Sequence, residues 1–303
     1  MSRRKRGDMK KGKKEKIRFI INPISGISDK TNIPELIAEH IDEDQFTYDI
    51  AFTEYRNHAT KLTKQAVSEG IKIVCAVGGD GSVHEVGTAL IGSASELAII
   101  PIGSGNGLAR HLKIPLNVKD AILCINDRLS IKMDTVKVNE KTFLGVGGYG
   151  FDAVVANEFD KGPKRGLRGY IMTVFKEFFK YNPLNVSIDV DGKVKTLPIV
   201  LCTVANSSQF GNGFTVSPES DVTDGELELC LLKPFSVWNA PSIIMNFLRK
   251  RSHKSRFSEV IPFKKAKIKL SKKIAHYDGE PIDVKDELIV TVVPKSLNIL
   301  VGK

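Results

Sequence analysis

Three short stretches of this 303-residue chain carry residue types suited to phosphate chemistry. Gly78-Gly79-Asp80-Gly81-Ser82 lies between an apolar run, Ile71–Val77, that reads as a buried strand, and an amphipathic helix beginning near Val83. Glycines at such a turn let backbone come close to a phosphate, and the helix start offers unpaired N–H groups and positive partial charge. A bare Asp80 carboxylate would repel phosphate, so its presence implies a metal ion or a hydrogen-bond network. Gly103-Ser104-Gly105-Asn106-Gly107 repeats the glycine-rich composition after a second apolar run, and Asp278-Gly279-Glu280 offers two carboxylates two residues apart. An ordinary βα turn or hairpin has the same composition, so the elements around these stretches decide their meaning.

From Ile17 to about Met133, strand and helix patterns alternate. Expected strands are Ile17–Ile21, Phe46–Phe52, Ile71–Val77 and Leu97–Ile102; expected helices are Ile33–Ile41, His58–Glu69, Val83–Ile91 and Val118–Ile125. Such alternation predicts an α/β domain with a parallel sheet covered on both faces, whose ligands sit at the carboxyl ends of the strands. Those ends carry Asn22-Pro23-Ile24-Ser25-Gly26, then Thr53, then Gly78–Ser82, then Gly103–Gly107. Four small or polar turns on one edge make a polar, backbone-lined groove of the kind a nucleotide needs. After Met133 the pattern becomes mostly antiparallel β. Hairpins are expected around Asn139–Lys141 and Asp191–Lys193, with further strands at Leu227–Leu232, Lys267–Leu270 and Leu288–Val293. One helix, Tyr170–Tyr181, follows a basic glycine-rich segment, Lys161–Gly169.

Hydrophobic content of 42% and charged content of 26% are those of a globular protein long enough for two domains. No apolar run approaches the ~20 residues of a membrane span, and the N-terminus lacks a secretory signal pattern. Cys75, Cys124, Cys202 and Cys230 have no CxxC spacing and read as reduced core residues, which points to the cytoplasm. The formal charge of +10 is uneven: Met1–Lys16 holds nine Lys/Arg against Asp8 and Glu15. That segment reads as a disordered basic tail suited to an anionic membrane. A second basic cluster, Arg249–Arg256, follows the apolar stretch Ile243–Leu248, a pairing that suits a membrane interface better than a duplex. No nucleic-acid signature is present, so no nucleic-acid partner is expected.

The loops lack GxxxxGK[ST], GxGxxG and the protein-kinase signatures. Taken together, Asn22–Gly26, Gly78–Glu85 (GGDGSVHE), Pro101–Arg110 (PIGSGNGLAR), Asp224-Gly225 and Tyr277–Glu280 (YDGE) resemble the diacylglycerol and sphingosine kinase family, over nearly the whole chain after residue 16. The resemblance implies an ATP- and Mg²⁺-dependent lipid kinase that phosphorylates a hydroxyl of a membrane lipid, diacylglycerol or a sphingoid or ceramide-like alcohol. It implies that Gly78, Gly79, Asp80, Gly81, Ser82, Val83, His84 and Glu85 hold the ATP phosphates, with Asn22, Ser25, Gly26, Thr53 and Ser104 completing the nucleotide site. Mg²⁺ is expected at the main-chain carbonyls of Asp221 and Glu226 and the side chain of Asp224, oxygen ligands that suit a hard cation. The base is expected in the Asp278-Gly279-Glu280 turn, at Glu280 with Asp278 in support, and Asp80 is the third catalytic carboxylate. The domain layout that follows is a tail at 1–16, a nucleotide-binding domain at 17–133 completed by 295–303, and a β-rich lipid domain at 134–294, with the active site in the cleft between them. Phe151, Phe159, Ile171 and Phe175 are candidate linings of the acceptor pocket. Asn106-Gly107 departs from the Asn-Asp common in bacterial diacylglycerol kinases and looks more like the sphingosine and ceramide kinases. The protein is expected to be cytoplasmic and peripherally membrane-associated, with a homodimer as one open assembly. Two rivals are a NAD-kinase-like soluble enzyme and a non-catalytic regulator that binds nucleotide or lipid.

Overall fold

The computed structural model describes residues 14–25, 32–161, 181–271 and 274–303. Gly26, the tail up to residue 13, Ile171 and Phe175, nearly all of the expected helix Tyr170–Tyr181, and the basic segment before it from residue 162 on lie outside the described residues, as does the side chain of Phe159. The first half builds a parallel sheet from β1 (Glu15–Ile21), β2 (Phe46–Phe52), β3 (Ile73–Gly78) and β4 (Glu96–Pro101), in the order β2-β1-β3-β4. Every residue of β3 and β4 is buried, which is why both read as apolar runs apart from Glu96 at the start of β4. Helices α1 (Ile33–His40), α2 (His58–Ser68), α3 (Asp80–Leu90), α4 (Gly107–His111) and α5 (Val118–Asp127) make the connections. The sequence pattern starts α3 near Val83, but the helix begins at Asp80. Apolar periodicity sees only the face that meets the core, and the first turn of this helix is polar and glycine-rich.

The second half continues with β5 (Ser130–Val138), β6 (Lys141–Phe143), β7 (Val146–Gly148), α6 (Phe151–Lys161), β8 (Leu184–Val190), β9 (Lys193–Ile199), β10 (Leu201–Ala205), β11 (Gln209–Gly211), β12 (Phe214–Thr215), β13 (Leu227–Leu232), α7 (Ala240–Leu248), β14 (Ser258–Phe263), β15 (Lys265–Leu270), β16 (Ile274–Tyr277), β17 (Glu280–Asp283) and β18 (Glu287–Leu300). Six strands form one antiparallel sheet, β14-β13-β10-β7-β16-β17. It faces β18-β15-β8-β9 across a core in which Ile188, Ile268 and Val290 meet Val204, Leu229 and Tyr277. All four cysteines are buried and free.

The two halves are not joined by linkers. β5 and β18 pair antiparallel from Val138 and Val290 to Ser130 and Leu300, so both strands run through the expected junctions at 133/134 and 294/295. Near one end β18 pairs with β15; at the other, Asn298 and Ile299 pair in parallel with Glu96 and Leu97 of β4. The ladder shifts register between Val293 and Leu297, where Lys295 takes a positive φ of 52°. Asp134 is fully buried at this shift. Its carboxylate accepts from the backbone N–H of Lys295 at 2.6 Å and of Gly225 at 2.7 Å, and its own N–H donates to the Val222 carbonyl. Replacing Asp134 by Ala removes the acceptor of two part-buried N–H groups, so Asp134→Ala is expected to lose about 1–3 kcal/mol of stability. Asp134→Asn, which keeps one acceptor, is expected to lose less. Urea midpoints of the three proteins measure this, and an unchanged midpoint in Asp134→Ala contradicts it.

Candidate active site

At the carboxyl edge of the parallel sheet the two glycine turns touch. A Cβ on Gly79 would lie 3.2 Å from the Cα of Gly103, and one on Gly103 would lie 2.5 Å from the Cα of Gly79, so both positions need glycine for this approach. Asp80, in the first turn of α3, reaches across: Oδ1 accepts from the N–H of Gly107 at 2.7 Å and Oδ2 from that of Asn106 at 2.8 Å. These are N–H groups at the start of α4, which its own turns leave unpaired. Burial, the largest influence, pushes the Asp80 carboxyl up to about 6 against those two bonds, and the nearby Asp278 charge adds to the rise. Asn22 donates to Ser82 Oγ at 3.3 Å, tying the end of β1 to the same turn. Thr53 is half-buried at the end of β2, Ser25 is half-buried, and Ser104 is exposed. Glu85 is engaged away from the glycine turns. Its two oxygens accept from the N–H groups of Asn57 and Ala59, capping the start of α2.

The opposite wall comes from the antiparallel domain. Asp278 (φ 51°) and Gly279 (φ 88°) form the two-residue turn between β16 and β17, with both φ positive as a type I′ hairpin requires. The Asp278 side chain points inward and accepts from the N–H groups of Leu144, Gly145 and Val146, at 2.9, 2.7 and 3.2 Å. Oδ2 also lies 2.7 Å from His84 Nδ1, so the ion pair crosses from one domain to the other. Burial alone would lower the His84 pKa, but the hydrogen bond and charge of Asp278 outweigh it and raise the pKa above 6.5. Burial alone would raise Asp278; His84 and the backbone N–H groups outweigh that and hold it below 3.8. Both shifts favour the charged pair. Glu280 sits at the rim, 2.5 Å from Arg56 of the loop after β2, and a Cβ on Gly81 would lie 2.6 Å from its Oε1.

Between these walls is a recess of about 320 Å³, counting its open mouth, lined in part by Asp80, His84, Asp278, Ser207 and Gln209. Ser207 and Gln209 are 1% and 7% exposed, and Ser207 Oγ and Gln209 Oε1 lack a hydrogen-bond partner. Buried polar atoms are seldom left unpaired, so the two mark a place for a polar ligand. The apolar lining is Val83, Leu108, Leu144, Val146 and Phe210. Phe151, proposed for that lining, instead packs against Tyr181. Ser207, Gln209 and Arg56 carry no motif, and sequence reasoning had no signal for them.

Asp221, Asp224 and Glu226 lie apart from the recess, in the loop before β13. Among the described residues no group of three His, Cys, Asp or Glu side chains is placed to hold a metal ion. Asp221 Oδ1 accepts from Thr223, and Asp224 Oδ1 accepts from the Glu226 N–H at 2.8 Å. The carboxylate expected to bind a cation is thus turned onto its own loop, and the two expected carbonyls would need no side-chain convergence.

The His84–Asp278 pair gives a pH dependence with a definite sign. A raised His pKa contributes stability that is complete below 6.5 and is lost as pH rises through the folded value. A lowered Asp pKa contributes stability that is complete above 3.8 and is lost as pH falls through the folded value. The pair therefore contributes fully between these limits. NMR titration of the His84 ring is expected to show a midpoint above 6.5 that drops in Asp278→Asn; an unchanged midpoint would break the assignment.

Residues 16–138 match the diacylglycerol kinase catalytic domain, and residues 145–301 match the YegS C-terminal NAD kinase beta sandwich-like domain. A diacylglycerol kinase of Bacillus subtilis is 28% identical over 232 residues, covering 72% of this chain and 74% of that protein. A "Probable lipid kinase YegS-like" of Shewanella frigidimarina is 25% identical over 245 residues, covering 78% and 79%. A solved structure described as a diacylglycerol kinase from Bacillus anthracis str. Sterne shares the fold with a TM-score of 0.73 at 21% identity, over 96% of this chain and 98% of that one. With both halves matched, this chain belongs to the lipid kinase family that joins a diacylglycerol kinase catalytic domain to a YegS C-terminal domain.

Proposed function

We propose that the recess is the active centre of an ATP-dependent kinase that phosphorylates a hydroxyl of a membrane lipid, either diacylglycerol or a sphingoid-type alcohol. The observation that carries this is the convergence of Asp80, His84 and Asp278 from both domains on one recess, beside two unpartnered polar side chains. Phosphoryl transfer requires positioning, charge neutralisation and an acceptor for the alcohol's proton. The first-turn N–H groups of α3 and the glycine turns, with Asn22, Ser25, Thr53 and Ser104 nearby, receive the nucleotide. The fit rests on the close-packed Gly79 and Gly103, where a side chain would fill the space.

His84, whose cationic form the Asp278 carboxylate favours, supplies positive charge toward the transferred group. Asp278 is a positioning residue, since His84 and three backbone N–H groups occupy its oxygens. Glu280 is the more exposed carboxylate of the turn and takes the hydroxyl proton. Ser207 and Gln209 orient the acceptor head. Mg²⁺ carried with the nucleotide, when bound, supplies further neutralisation; Asp80 fits it by donor type, since a carboxylate accepting two bonds still has lone pairs to offer a hard cation. Among the described residues no helix is long and apolar enough to cross a membrane, so the lipid is met at a surface.

Labelled ATP, Mg²⁺ and a panel of lipids in mixed micelles, with NAD as the soluble rival acceptor, test the reading: label is expected on an alcohol lipid and not on NAD. Glu280→Gln is expected to lower turnover ~10²–10⁴-fold with ATP affinity kept. Asp80→Asn is expected to lose far more turnover than nucleotide affinity. Full lipid phosphorylation by Glu280→Gln removes it as the base. A separate Mg²⁺ at the 221–226 loop is expected to raise the melting temperature of the wild type but not of Asp224→Ala.

A further inference from the structure

The helix α7 is apolar on two sides, and only one of them is covered. Ile243 and Phe247, four residues apart, are buried, and the Phe247 ring stacks on Phe214 with centroids 4.8 Å apart. On the outer side Ile244, Met245 and Leu248 are 46%, 44% and 49% exposed. The short turn leading into the helix adds Val237 at 46% and Trp238 at 88%. Ile244 and Leu248 are four residues apart and Met245 and Leu248 three, so these three share one outward face of the helix, and Val237 and Trp238 lie in the turn at its start. Scattered exposed apolar residues are ordinary, but a helix with a second apolar side, away from the core, is normally covered there too. Something else is expected to cover this stripe.

Charge identifies what. From Pro234 to Ser258 the chain has five Lys/Arg (Arg249, Lys250, Arg251, Lys254, Arg256) and no Asp or Glu. All five are exposed, and among the described residues none is paired with an acidic side chain. We propose that α7 and the basic turn after it dock the protein on an anionic lipid bilayer, with Trp238, Ile244, Met245 and Leu248 entering the interface and the five cations meeting the headgroups. Apolar side chains beside cations are the composition of an interfacial helix, and tryptophan favours that boundary. A duplex would leave the aliphatic stripe wet. A second copy in a two-fold interface would bring the same cations against themselves. The covered side of the same helix leads toward the recess: Phe247 stacks on Phe214, whose ring is 6.4 Å from that of Phe210 in the recess wall.

Trp238 is the chain's single tryptophan, so intrinsic fluorescence reads this surface alone. The experiment adds phosphatidylglycerol or phosphatidylcholine vesicles to the full-length protein without ATP, which keeps the outcome independent of the catalytic reading. Emission is expected to shift blue with phosphatidylglycerol, little with phosphatidylcholine, and less as salt rises. Ile244→Glu with Leu248→Glu is expected to weaken vesicle affinity at least ~10-fold, while turnover on a soluble short-chain acceptor is kept. A steady emission while vesicles sediment the protein would mean that another segment binds, and would overturn the proposal. So would a blue shift that follows protein concentration without lipid, which marks a second copy, or an equal shift with a DNA duplex.

Discussion

The carboxylate of Asp134 sits where two strands pass from one domain into the other, and the cleft depends on that crossing. A continuous ladder of β5 and β18 would be a stiff twisted ribbon. The register shift after Val293 lets β18 change partners from β15 to β4, and Asp134 receives the N–H of Lys295, at the shift, and that of Gly225. Because the partners of Asp134 are backbone groups, the relative placement of the domains does not rest on long flexible side chains. The Asp278–His84 pair then closes the same cleft from the other end.

Close packing explains why so many glycines cluster there. Gly79 and Gly103 bring two turns into backbone contact, Gly105 leaves room for Asp80 Oδ2, and Gly81 leaves room for Glu280. The same glycines that suit a phosphate also admit the carboxylates. Three acids near one another are tolerable because each has a different environment. Asp80 is half-buried and desolvated with its pKa raised, Asp278 is paired and its pKa lowered, and Glu280 is at the rim beside Arg56. Such divergence of neighbouring carboxylates is what lets similar groups take different parts in one reaction.

Much of the first domain was legible because its signals are local. β2 falls where the pattern puts it, as does β13 in the second half, and the other expected strands of the first domain differ from the observed ones by one or two residues at their ends. Apolar runs, glycine turns and alternation depend only on near neighbours along the chain. The misreadings came where a distant partner decides. Glu85 follows the glycine turn in a nucleotide-like motif, yet its carboxylate caps α2. Ser207, Gln209 and Arg56 enter the site or its rim from segments with no motif.

The four Asp-Gly pairs draw the line most clearly. By itself the sequence determined that Asp191, Asp224 and Asp278 would turn the chain, since Asp and Gly both tolerate the conformations a tight turn needs, whereas Asp80 opens α3. It also determined the alternation of strand and helix, the glycine edge and the family resemblance. Only the tertiary structure decided that Asp191 stays exposed at a plain hairpin, that Asp224 closes its own loop, that Asp80 binds the start of α4, and that Asp278 is buried against His84. The physical reason is range: turn preference is set within a few residues, whereas burial and charge at a carboxylate are sums over groups that lie far away along the chain.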